Sequence, residues 1–248
     1  LIEGNGYNAF VGLLPILFVI AIFLIVVFVE GMHVNIPVAM GQSGAGGRFP
    51  VKFLYVSNMP VILAAALFAN VQLWASLLAG VPYISTVLNG LSWATQPPNV
   101  GGGVSLIEGL LTLGITSTTG IEVAQAFVYI LLLVVACVVF GKFWIELGGQ
   151  GSKAVSEQLD RSGMSIPGFR RDPRIMQKVL DRYIPHVTVL GSIFVGLLAG
   201  LSDITVASLA SGIGVLLAVG IVYRLYEELA KAQLMDMHPA LKAFFGEK

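Results

Sequence analysis

Few side chains in this sequence are arranged for catalysis. His33, His186 and His238 are scattered, with no H-E-x-x-H and no pair spaced i,i+4, so no metal-ligand set is expected. The run from Gly41 to Arg48 (GQSGAGGR) has the glycine content of a phosphate loop. It lacks the Lys-Ser/Thr ending and no strand is expected before it, so it is read as a flexible cytosolic linker. Cys137, the single cysteine, sits in an apolar run and is expected to be inert packing; alone it excludes a disulfide scaffold. No catalytic residue, metal or cofactor is expected, and the chain is read as non-enzymatic.

The polar groups that stand out lie inside apolar runs. Asn70 and Gln72 interrupt the stretch from Met59 to Leu78. An amide with no water to bond must face a neighbouring helix or a cavity, either as an interhelical contact of about 1 kcal/mol or as part of a functional seam. Gly196 and Gly200 form a G-x-x-x-G, which reads as close helix packing. Glu30 and Glu122 fall at the ends of apolar runs, where water is expected to reach them. A proton-coupled pump needs ionisable groups at bilayer depth, and none is read there.

One basic pair is pointed. In Ile166-Pro167-Gly168-Phe169-Arg170-Arg171-Asp172-Pro173 the Pro and Gly residues make a turn that projects Arg170 and Arg171. Guanidinium groups suit phosphate or carboxylate, so this tip fits an RNA backbone or an acidic partner; an anchor on lipid headgroups is the alternative.

These residues must be held by membrane-spanning helices. Apolar residues make up 56% of the 248 and charged ones 11%, far below the roughly 25% charged of a soluble domain. A bilayer core about 30 Å thick takes about 20 apolar helical residues. Five segments are read as spans: about 10–29, 59–78, 123–140, 186–201 and 205–223. Between them lie cytosolic loops at 30–58 and 141–185 and an outer loop at 79–122, with a cytosolic tail at 224–248. Within the outer loop, Val104 to Ile115 is too short to cross and is read as interfacial or re-entrant.

Charge fixes the orientation. All fourteen Lys and Arg residues fall in the two cytosolic loops and the tail, and none falls in 79–122 or between the last two spans. That is the positive-inside pattern of an odd number of crossings. It places residues 1–9 outside and the C-terminus in the cytoplasm of a cell (plasma) membrane. The outer side is then mildly acidic, through Glu3, Glu108, Glu122 and Asp203.

Ordered stretches along nearly the whole chain resemble one family. They are Phe49 to Leu63 (FPVKFLYVSNMPVIL), Phe68 to Trp74 (FANVQLW), Gly168-Phe169-Arg170, Arg182 to Pro185 (RYIP), Gly214 to Ala218 (GVLLA) and Tyr223 to Glu227 (YRLYE). They resemble the archaeal SecY and eukaryotic Sec α-subunit family of protein-conducting channels, over its sixth to tenth helices. The fold class this implies is an all-α polytopic membrane protein, its five helices forming one half of a ten-helix clamshell.

What the resemblance implies is specific. An hourglass pore between two halves is closed by a ring of apolar side chains, to which Ile16, Ile20 and either Leu216 or Leu217 correspond. Asn70 corresponds to a polar residue of the lateral gate. The cytosolic loops, with Arg48, Lys52, Arg170 and Arg171, correspond to those that dock the ribosome. Implied partners are the N-terminal half of the channel (on the same or a separate chain), SecE-type and small β-type subunits, the signal-recognition targeting machinery, a nascent polypeptide with its signal sequence, and the lipid bilayer. Half of a small-solute secondary transporter built on inverted repeats is the competing expectation.

Overall fold

The computed structural model describes residues 5–40, 45–52, 58–81, 83–98, 106–107, 109, 120–161, 164–165, 173–206 and 212–237. Among the described residues the elements run α1 (Asn5–Glu30), β1 (His33–Met40), β2 (Ala45–Lys52), α2 (Met59–Leu77), α3 (Ile84–Thr95), α4 (Gly120–Leu147), α5 (Ser152–Arg161), β3 (Met164–Ser165), α6 (Pro173–Val206) and α7 (Gly212–Met237). The fold is that of an all-α polytopic membrane protein with a small sheet at one end. Among the described residues α1, α2, α4 and α6 are long and apolar enough to cross a membrane. In α7 the apolar lead ends at Tyr223, before Arg224, Glu227 and Glu228.

The core is shared by five helices. Ile22, Val26 and Val29 of α1, Val61, Ala64 and Phe68 of α2, and Tyr129, Leu133 and Cys137 of α4 pack with Val195, Leu198 and Ala199 of α6 and with Leu216 and Val219 of α7. Close approach of α4 and α6 is what makes this possible. A Cβ at Gly196 would stand 3.0 Å from the Val134 Cα, and one at Gly200 would stand 3.0 Å from Ile130 Cγ1. The G-x-x-x-G therefore does lay α6 against α4, and Cys137 is wholly buried in that interface.

Among the described residues the connections hold more regular structure than their composition suggests. The span read at 186–201 is the second half of α6, a 34-residue helix that begins at Pro173 and runs through Pro185. Its first half buries Met176, Leu180 and Ile184 against Ile145 of α4 and Val155 and Leu159 of α5. α6 also extends through Thr205, so the last helix starts later than 205, at Gly212 among the described residues. Between α2 and α4, α3 stands where only loop was expected. Leu106, Ile107 and Gly109 are helical, in the 104–115 stretch read as interfacial, and Leu106 packs on Ala126 and Ile204.

After α1 comes a strand pair; of the run read as a flexible linker, residues 41–44 lie outside the described residues and Ala45 to Arg48 are in β2. β1 and β2 pair antiparallel from His33 opposite Lys52 to Met40 opposite Ala45. β3, from the connection after α5, adds to the other edge of β1 through Ala39 opposite Ser165 and Met40 opposite Met164. A strand does precede the glycine-rich run, but its second half lies in β2 and not at the start of a helix, so it remains unlike a phosphate loop. Glycine content and the prolines Pro37 and Pro50 hid a pairing that both strands sustain.

Candidate functional site

The residues singled out by sequence divide into those that reach a surface and those that do not. On α1, Pro15, Ile22, Val26 and Val29 face the core. At roughly 100° per residue Ile16 and Ile20 turn away from that stripe, and they are 47% and 51% exposed. On α7 the two candidates part. Leu216 is 1% exposed and belongs to the core, whereas Leu217, one position on, is half-buried. Leu216 packs in the core shared with α1, α2, α4 and α6, so of the two it is Leu217 that reaches a surface.

Asn70 is exposed, and its Nδ2 donates to the Ala66 carbonyl at 2.8 Å, within its own helix. Its face of α2 is covered by no described element of this chain, so it is not an interhelical contact between these helices. Gln72, two positions on, instead donates to the Thr95 carbonyl at 3.3 Å and ties α2 to the end of α3. Asn58, before α2, is buried, and its side chain lies over Gly220, where any Cβ would collide with it.

The basic connections meet in the sheet. Arg48 and Lys52 are in β2, opposite Pro37 and His33, and β3 brings the connection after α5 to the same sheet. Arg170 and Arg171 lie outside the described residues. α5 is seated there by its buried Val155 and Leu159 and by the Ser152 hydroxyl, which donates to the Asp181 carboxylate. The two basic connections, distant in sequence, form one structure at one end of the bundle.

Two carboxylates are more buried than their places in the sequence suggest. Asp203, read as part of a mildly acidic outer side, is 6% exposed, at the far end of α6. The Tyr129 hydroxyl donates to its Oδ2 at 2.6 Å, and the Ile213 N–H donates to its Oδ1 at 3.2 Å. A Cβ on Gly212 would meet the Ser202 and Asp203 backbone, so glycine is required where α7 turns back on α6. Glu30, expected to meet water, is buried at the other end of the bundle. Nothing local marks Asp203, since its partners are 74 and 10 positions away. Among the described residues no cluster of three His, Cys, Asp or Glu could hold a metal.

Relatives place this arrangement. The SecY family profile matches residues 2–226. The protein translocase subunit SecY of Methanothermobacter thermautotrophicus is 44% identical over 94% of this chain and 50% of its own length. That of Methanococcus vannielii is 42% identical over 97% and 53%. The chain spans about half the length of the curated relatives it matches. Among solved structures, one on the SecY plug domain and the closed translocation channel superposes with a TM-score of 0.69 at 40% identity, over 92% of this chain and 52% of that one. Another, of a protein-conducting channel, gives 0.69 at 39% identity, over 92% and 51%. A yeast Ssh1 complex bound to the 80S ribosome shares the fold, with a TM-score of 0.54 at 16% identity over 88% of this chain and 45% of that one. The transporter expectation is not favoured by any of these. A profile match from residue 2 to 226, with relatives above 40% identity along nearly the whole chain and the same fold in solved channel structures, makes this chain a member of the SecY family.

Proposed function

We propose that this chain forms one half of a protein-conducting channel, which passes polypeptides across a membrane and releases apolar helices into it. The observation that carries the reading is Asn70. A polar amide in the middle of a 19-residue apolar helix faces outward and is satisfied only within its own turn among the bonds described. In hydrocarbon such a group is costly, so the face that bears it fits a seam closed by another half rather than lipid. Asn70 is then a lateral-gate residue, held by contacts of about 1 kcal/mol that can be made and broken repeatedly.

Ile16, Ile20 and Leu217 supply this half's share of an apolar constriction. Branched side chains facing one another form a neck that dewets, resists ions and yields to a polypeptide. The work is conduction and sorting, not bond chemistry, so the reading is non-enzymatic. α7 is the fifth crossing; residues 1–9 face outward and the tail lies in the cytoplasm, as the basic connections require. The partners are an N-terminal half, SecE-type and β-type subunits, the targeting machinery and a nascent chain. The sheet that joins the two basic connections suits one large anionic partner, the ribosome, with Arg48, Lys52, Arg170 and Arg171 as contacts to RNA phosphate.

Co-sedimentation tests the reading. Vesicles carrying the complete channel are expected to pellet with ribosomes at low salt and to be released as salt rises. Vesicles that stay in the supernatant at every salt concentration would overturn it.

A further inference from the structure

We propose that α3 is a membrane-interfacial helix whose uncovered apolar stripe rests on the acyl chains of the leaflet at the α2–α3 end of the bundle. Three observations converge on lipid as the occupant. The first is position: α3 hangs between the end of α2 at Leu77 and the start of α4 at Gly120, two helices long and apolar enough to cross a bilayer. The C-terminal end of α3 is tied to Gln72 near the end of α2 and to Gln125 near the start of α4, which sets it near the boundary of the hydrocarbon.

The second is its sidedness. Ile84, Val87 and Leu91 recur at i, i+3 and i+7 and all are exposed, whereas Thr86 and Asn89 lie on the other side. No residue of Ile84–Thr95 is charged. A third face, formed by Ser85, Leu88, Ser92 and Thr95, turns toward the bundle. Trp93, 41% exposed, shares the side of Thr86 and Asn89, and an apolar stripe beside an uncharged side that carries an aromatic ring suits a helix at headgroup level.

The third observation points to scarcity of water. The last four carbonyls of a helix have no intrahelical partner, and at a wet surface solvent satisfies them. Here three of the four are taken by side chains. Ser92 O accepts from the Thr95 hydroxyl at 3.2 Å, Trp93 O from Gln125 Nε2 at 2.9 Å, and Thr95 O from Gln72 Nε2 at 3.3 Å. The Gln96 carbonyl, just past the end, also accepts from Gln125, at 3.4 Å. Two glutamines from flanking helices thus close a helix end, which is what a backbone terminus in lipid requires. Gln72 and Gln125 are accordingly the anchors that fix the depth of α3.

The test is electron paramagnetic resonance on the assembled channel in phosphatidylcholine vesicles, with a nitroxide at a single cysteine introduced at Ile84, Val87, Leu91, Thr86 or Asn89. Cys137 is wholly buried and stays unlabelled. The expected result is a collision rate with oxygen that exceeds that with a water-soluble nickel chelate at positions 84, 87 and 91, and the reverse at 86 and 89. Equal access to the nickel chelate on both sides would show α3 in water. Protection of 84, 87 and 91 from both agents would show a protein cover. Either overturns the proposal, and neither bears on whether the channel binds ribosomes.

Discussion

Tyr129 and Asp203, 74 positions apart, are joined by a hydrogen bond of 2.6 Å between the helical core and its far end. Because the second carboxylate oxygen accepts the Ile213 N–H, one side chain fastens α4, α6 and α7 together. The first N–H groups of α7 have no intrahelical partners, and Asp203 meets one of them. Replacing Asp203 by Ala strands both donors. The expected loss is about 1–3 kcal/mol, and Tyr129→Phe should cost less in that background than in the native chain. Unfolding of the purified chain by detergent titration, as a double-mutant cycle, measures the coupling. Strict additivity of the two losses would show that the bond carries no energy.

Two glycines in the same bundle should differ in what they tolerate. A Cβ at Gly212 meets the backbone of Ser202 and Asp203, which cannot move without displacing the α6–α7 corner. A Cβ at Gly141 meets the Ser192 hydroxyl, which can rotate. Overpacking costs about 1–3 kcal/mol where neighbours cannot yield, so Gly212→Ala should lie at the high end and Gly141→Ala well below it. Thermal unfolding in detergent ranks them, and the opposite order would mean that the corner is the softer of the two sites.

How far the sequence disclosed these features depends on how local their causes are. α1, α2 and α4 are legible because each is a long apolar run with few interruptions. The close packing at Gly196 and Gly200 is legible for the same reason, since the spacing itself states the geometry. The strand pair was hidden because glycine and proline break a strand pattern locally while pairing partners lie elsewhere. α3 was hidden because, with no charge and mixed serines, it shows neither a span nor a clean surface helix. Asp203 reads as a loop charge, since only the tertiary fold brings Tyr129 and Ile213 to it. Leu216 and Leu217 are indistinguishable by type, and it takes the rotation of α7 to put one inside and leave the other at a surface.

Asn70 should set how greasy a nascent helix must be to leave the channel sideways. Its contribution to a closed seam is about 1 kcal/mol, so Asn70→Leu should change the inserted-to-translocated ratio of a marginal segment by about fivefold. A series of test segments of graded hydrophobicity reads the midpoint directly. An unmoved midpoint would remove Asn70 from the gate.

Charge reversal at Arg170 separates a ribosome-binding role from a lipid anchor. If the guanidinium neutralises a phosphate, Arg170→Glu should weaken ribosome binding and lower the slope of log affinity against log salt by about 1 for each phosphate left unneutralised. A lipid anchor would leave both unchanged. Binding measured across a salt series decides it.

The neighbouring leucines on α7 offer a cleaner division between packing and conduction. Leu216 is 1% exposed and touches the shared core, so Leu216→Ala should cost about 2–5 kcal/mol of stability. Leu217 is half-buried, so Leu217→Ser should cost less. If Leu217 stands in the constriction with Ile16 and Ile20, a hydroxyl there makes the neck easier to wet, and ion leak through the resting channel should rise. Planar-bilayer conductance of the Leu217→Ser channel, beside its unfolding midpoint, tests both halves of the statement. A tight Leu217→Ser channel together with a leaky but stable Leu216→Ala channel would reverse the assignment and turn α7 by one residue relative to the pore.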